Sequence, residues 1–96
     1  MRVQFVEKVN GPERLVCDAE ILFDEDPLAG MKLVGFSLWR STDGDVYVTF
    51  PSRAFGAGTE RKYFDYLRSV DASAETVKQV KAWILDEYRK ATEAAA

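Results

Sequence analysis

The chain contains no histidine. That absence excludes Ser–His–Asp and Cys–His catalysis, removes the commonest metal ligand and leaves no side chain that titrates unperturbed near neutral pH. Cysteine is almost absent too. A lone Cys17 cannot close an internal disulfide, so nothing requires an oxidising compartment. It falls mid-strand between Leu15 and Ala19, where it reads as a small buried hydrophobe, with no histidine or helix start nearby to lower its pKa. No apolar run of membrane-spanning length occurs, and Met1-Arg2-Val3-Gln4 carries no signal core, so a cytoplasmic location and no membrane partner are expected. Linkers, internal repeats and low-complexity segments are lacking apart from the closing Ala94-Ala95-Ala96, which is expected to fray. An excess of positive charge is lacking as well, since the formal net charge is −3. Acids sit on turns and on alternating strand faces, with no pattern that brings two together. No enzyme activity, cofactor, metal or small-molecule substrate is therefore expected.

What is present is an ordinary globular balance of 47% hydrophobic and 30% charged residues over 96 positions, enough for one domain. A chain of this size buries roughly two thirds of its unfolded surface, so its stability is modest or helped by a partner. The charge is mildly polarised. Residues 1–48 carry nine acids and five bases, whereas residues 49–96 carry eight bases and seven acids.

Period-two alternation dominates the first half. Strands are expected at about 2–9, 14–24, 31–40 and 45–50. Asn10-Gly11-Pro12 marks a hairpin with a loop of about four residues. In the second strand Leu15, Cys17, Ala19, Ile21 and Phe23 alternate with Val16, Asp18, Glu20, Leu22 and Asp24, which gives one buried and one wet face. Asp24-Glu25-Asp26 lacks the spacing of a calcium loop and reads as a solvated acidic turn. In the third strand Val34, Phe36 and Leu38 share one face, with Met31, Leu33 and Trp39 on the other. Both faces are partly apolar, so the strand reads as central and covered on both sides. Gly35 marks a bulge or the close approach of another backbone. Ser41-Thr42-Asp43-Gly44-Asp45 is an Asp-Gly hairpin turn.

The chain is organised around Val46-Tyr47-Val48-Thr49-Phe50-Pro51-Ser52-Arg53. Val46, Val48 and Phe50 line one face. Pro51 cannot donate to a ladder, so regular pairing is expected to end there. Arg53 is then either a base presented from a stiff strand end or a solvated loop residue. The loop 54–59 is glycine-rich but has neither Gly-x-Gly-x-x-Gly nor a following Gly-Lys-Ser, so it is not a phosphate cradle. Within it, Phe55 either stacks on a base or tucks back onto the core. Residues 61–68 interleave aromatics with bases and read as a fifth, edge strand. That composition suits gripping a polyanion by phosphate contacts and stacking, and equally suits an edge protected from aggregation by charge. A helix over 74–92 follows, N-capped by Ser73, with an apolar stripe of Ala74, Val77, Val80, Ile84, Tyr88 and Ala91 widened by Trp83 and Leu85. Lys78 and Lys81 on it face either nucleic acid or water.

A strand ending in Phe50-Pro51-Ser52-Arg53, a glycine-containing loop, a short basic-aromatic segment and a closing helix with Ile84-Leu85-Asp86-Glu87-Tyr88 together resemble the stage V sporulation protein G family. The resemblance spans roughly residues 14 to 91. It departs at Ala54, where the family has a second base, and at Asp65-Tyr66-Leu67-Arg68, where the family has a His-Pro step. It implies a small dimeric bacterial regulator of septation and sporulation that binds nucleic acid, on an antiparallel sheet with a C-terminal helix. Of the candidate residues, Arg53 alone is carried by the family motif.

The expectation is thus an α+β domain with an antiparallel sheet of four to five strands and one C-terminal helix, acting as a homodimer. Arg53, Phe55, Arg61 and Lys62 would contact DNA or RNA, with Lys78 and Lys81 behind them. The alternative is a protein-interaction or assembly module that takes a partner on its sheet edge by strand addition.

Overall fold

Alternating sequence becomes an antiparallel meander, as period two requires. The computed structural model describes residues 1–95, with side chains as far as residue 93. Strands β1 (Arg2–Val6), β2 (Leu15–Leu22), β3 (Lys32–Arg40) and β4 (Val46–Thr49) form one sheet in the order β1-β2-β3-β4. Strands β5 (Ser52–Phe55) and β6 (Lys62–Asp65) form a separate two-stranded sheet, and the chain closes with α1 (Ala74–Ala95). The fold is α+β. The helix takes in Ala94 and Ala95, while Ala96, the last of the alanines expected to fray, lies outside the described residues.

One face of the four-stranded sheet is the core. Cys17, Ala19 and Ile21 of β2 meet Phe36 and Leu38 of β3, Val48 of β4, Phe50 beyond it and Ile84 of α1, all buried. Ile84 is fully buried, which contributes ~2–3 kcal/mol for a side chain of this size. Edge-to-face ring contacts tie the layers together. Phe36 meets Phe50 at 5.4 Å, and Phe5 on β1 meets Tyr88 on α1 at 5.4 Å. The Ser73 hydroxyl accepts from the Thr76 backbone N–H at 3.3 Å, so the expected cap starts the helix.

Two bulges correct the expected faces. Between Leu15↔Trp39 and Cys17↔Leu38 the register slips on β2, so Val16 packs on the core and Leu15 pairs with Trp39 instead. Between Ala19↔Phe36 and Ile21↔Leu33 an extra residue sits in β3. Leu33 therefore turns to the core, and Val34, expected beside Phe36, is exposed. The helix side of β3 is covered, and among the described residues no element of the chain packs extensively on its other face. The face opposite α1 carries Trp39, whose indole N–H donates to Thr49 Oγ1 at 3.0 Å, and exposed Tyr47, with Lys32–Glu20 and Lys8–Asp18 ion pairs.

Connections also differ. β1 stops at Val6 rather than near residue 9, and the link 7–14 is longer than a four-residue turn because Val9 is exposed and finds no ladder partner. The Asp-Gly turn closes as expected, with Gly44 N–H donating to Ser41 O at 3.0 Å and Ser41 N–H to Asp45 O at 2.8 Å.

The largest correction concerns Pro51. The β3–β4 ladder does end at Thr49, opposite Ser37, because proline offers no N–H. Pairing does not end there. The chain turns out of the main sheet and begins a new strand, β5, in the stretch expected to be loop. Gly35 explains the exit. It sits at φ +106° in the β3 bulge, and a Cβ there would stand 2.7 Å from Pro51 Cβ. The bulge makes room for the proline, and the proline redirects the chain. Residues 61–68 accordingly do not add a fifth strand to the main sheet. Their ordered part, β6, pairs with β5 as a hairpin.

Candidate functional site

The β5–β6 hairpin gathers what the sequence scatters. Its register pairs Ser52↔Asp65, Arg53↔Phe64, Ala54↔Tyr63 and Phe55↔Lys62. Directly opposed residues share a face, and alternate residues share it along each strand. Arg53, Phe55, Lys62 and Phe64 therefore form one face, and Ser52, Ala54, Tyr63 and Asp65 the other. The Tyr66 N–H donates to Pro51 O at 2.8 Å and closes the base of the arm. At the tip, Gly56 adopts φ +84° where a Cβ would stand 2.8 Å from Glu60 O, and a single 3-10 turn, Gly58–Glu60, follows. The glycines thus form the closing turn of a hairpin, and Phe55 ends β5 instead of sitting in a loop.

Rings and cations interlock on the first face. Phe55 and Phe64 meet edge to face at 5.3 Å. The Arg53 guanidinium lies 4.8 Å from the Phe55 ring centre, and the Arg68 guanidinium 5.9 Å from that of Phe64. Arg68 Nε also donates to the Asp65 carbonyl at 2.6 Å. Exposed contacts of this kind are worth about 0.5–1 kcal/mol each, enough to orient a guanidinium and too little to lock it. Two isolated strands are marginal in water, so these contacts matter to the arm itself. Among the described residues, no element beyond its own pair packs extensively on the hairpin. Every β5 and β6 residue is exposed.

The rings are unusually wet. Phe55 is 45% exposed, Phe64 43%, Tyr63 66% and Tyr66 64%. Phe55 does not tuck onto the core. Among the described residues, none of Arg53, Arg61, Lys62, Arg68, Lys78 or Lys81 is held in a salt bridge. Free cations beside open rings can neutralise phosphates and stack on planar groups.

The candidate residues do not all converge. Arg53, Phe55 and Lys62 share the hairpin face, whereas Arg61 lies between the 3-10 turn at the tip and the start of β6. Lys78 is exposed on α1, apart from that face. Lys81 is half-buried, its ammonium 5.4 Å from the ring centre of buried Phe50. Arg68 lies between the groups, lining a shallow apolar groove with Phe50, Val77 and Val80. Phe64 and Arg68 join the face although neither is among the contact residues expected from the sequence. The period-two row Lys62, Phe64, Tyr66, Arg68 held the signal, but only the β5 register reveals that Arg53 stands opposite Phe64.

Cys17 is 4% exposed, and burial, with lesser repulsion from Asp18 and Glu7, pushes its thiol up from 9.0 to about 11. That shift disfavours the thiolate, the reactive form, near neutral pH. Asp71 is held below the usual carboxylate range by the Ser69 hydroxyl and by the Ser73 N–H, bonds that brace the turn into α1.

No family model, curated protein or solved structure matches the chain.

Proposed function

We propose that this protein is a homodimeric nucleic-acid-binding regulator whose contact surface is the β5–β6 hairpin. The observation that carries the reading is the exposed face where Arg53, Phe55, Lys62, Phe64 and Arg68 interleave with no carboxylate on it. Four bases, Arg53, Arg61, Lys62 and Arg68, lie within residues 52–68 against two acids, Glu60 and Asp65. Asp65 belongs to the opposite face. A net charge of −3 opposes a long polyanion overall, and the projecting arm keeps its cations apart from the acidic first half. The resemblance to the stage V sporulation protein G family supports the same reading, and a role in septation or sporulation rests on that resemblance alone. Dimerisation is supported by the sheet face opposite α1, where Trp39 and Tyr47 have no covering layer. Two copies would double a small site.

The test is binding to random-sequence DNA and RNA as salt is raised. Affinity should fall steeply, and Arg53→Ala should make the slope of log affinity against log salt shallower by about one. An affinity indifferent to salt would contradict the reading. A second reading is favoured by the unpaired outer edge of β1, which could accept a partner strand. Absence of nucleic-acid binding at low salt would favour that interaction module instead.

A further inference from the structure

We propose that the hairpin takes single-stranded nucleic acid in preference to duplex, with unpaired bases stacked on its rings and phosphates on its cations. The inference rests on the nucleic-acid reading above and narrows it.

Exposed rings are the reason. A surface that grips a duplex backbone needs cations and hydrogen-bond donors, and gains little from open aromatic faces, because duplex bases are already stacked on one another. Here rings stand between the cations at more than two fifths exposure each. Phe55 and Phe64 each carry a guanidinium over the ring, and such a plane is itself a platform for a base. Among the described residues, neither Tyr63 nor Tyr66 has a ring or a cation over it, and both are exposed.

The duplex-reading alternatives fit poorly. A two-stranded ribbon can enter a major groove, but it then needs polar side chains aimed at base edges. This ribbon offers two phenylalanines between Arg53 and Lys62 on one face, with the Arg53 guanidinium laid over the Phe55 ring, and serine, alanine, tyrosine and aspartate on the other. A recognition helix needs a basic row, yet α1 carries four acids and four bases, and its Lys90 is held by Asp86 and Glu87 at 3.4 and 3.6 Å.

The experiment is fluorescence anisotropy at one low salt concentration. A labelled mixed-sequence oligonucleotide is offered as single-stranded DNA, as single-stranded RNA, and as DNA annealed to its complement. At least one single strand should bind about tenfold tighter than the duplex. Phe64→Leu, on the cation-bearing face, and Tyr66→Leu keep apolar bulk at exposed positions but remove the ring. Each should lower single-strand affinity by about tenfold with the salt slope unchanged, and Phe64→Trp should retain it. A duplex bound as tightly as the tighter of the two single strands, or leucine variants that bind like the parent, would overturn the preference while leaving the nucleic-acid reading in place. Binding of none of the three would remove that reading, and this one with it.

Discussion

Gly35 decides more of this structure than any other single residue. It carries the β3 bulge that turns Leu33 inward, and its missing side chain is the space that Pro51 occupies. Alanine there would need a backbone angle that L-residues avoid and would clash with a proline ring. Gly35→Ala is therefore expected to cost ~2–3 kcal/mol, read as a lower midpoint in urea with an unchanged slope. A loss below ~0.5 kcal/mol would mean that the sheet relaxes around the new methyl group. Arg53 stands at the other extreme. It supports nothing in the core, and its guanidinium rests on Phe55 with no carboxylate to hold it. Its removal leaves the core intact and costs the arm only one exposed contact of about 0.5–1 kcal/mol, so the Arg53→Ala salt slope reports chiefly on phosphate contact.

The elements differ in how far they could be read ahead. The body of β2 and the stripe of α1 were legible because a period of two and a period near 3.6 are local signals. The Ser73 cap and the Asp43-Gly44 turn were legible for the same reason, since each is a short-range hydrogen-bond pattern. The β3 bulge was half legible. Glycine in a strand announces an irregularity but not which neighbours change face. Strand β5 was hidden. Pro51 does end the β4 ladder, and nothing in Ser52-Arg53-Ala54-Phe55 reveals that a partner lies beyond the glycine turn. Register between distant segments is set by three-dimensional pairing. The candidate site shared that fate. Its composition was visible in residues 61–68, but the opposition of Arg53 to Phe64 and of Phe55 to Lys62 is a property of two strands together. Lys78 and Lys81 share only their charge with the site: both belong to α1, and Lys81 lies over Phe50 of the core.

At the scale of the whole molecule, a body and an arm are distinct. The radius of gyration is 14.7 Å, against roughly 12.5 Å for a compact chain of this length, an excess to which the hairpin and the 22-residue helix both contribute. The body has one covered sheet face and one bare. The dimer proposed above should give twice the chain mass by sedimentation equilibrium at micromolar concentration, and a single chain mass would contradict it. The arm is where binding is proposed, and nuclear magnetic resonance can locate it without assuming an activity. In a titration of isotope-labelled protein with a single-stranded oligonucleotide, amide shifts are expected to concentrate in residues 52–68, around Arg53, Phe55, Lys62 and Phe64. Shifts that spare this arm and fall on the exposed face of α1 or along β1 would contradict the account.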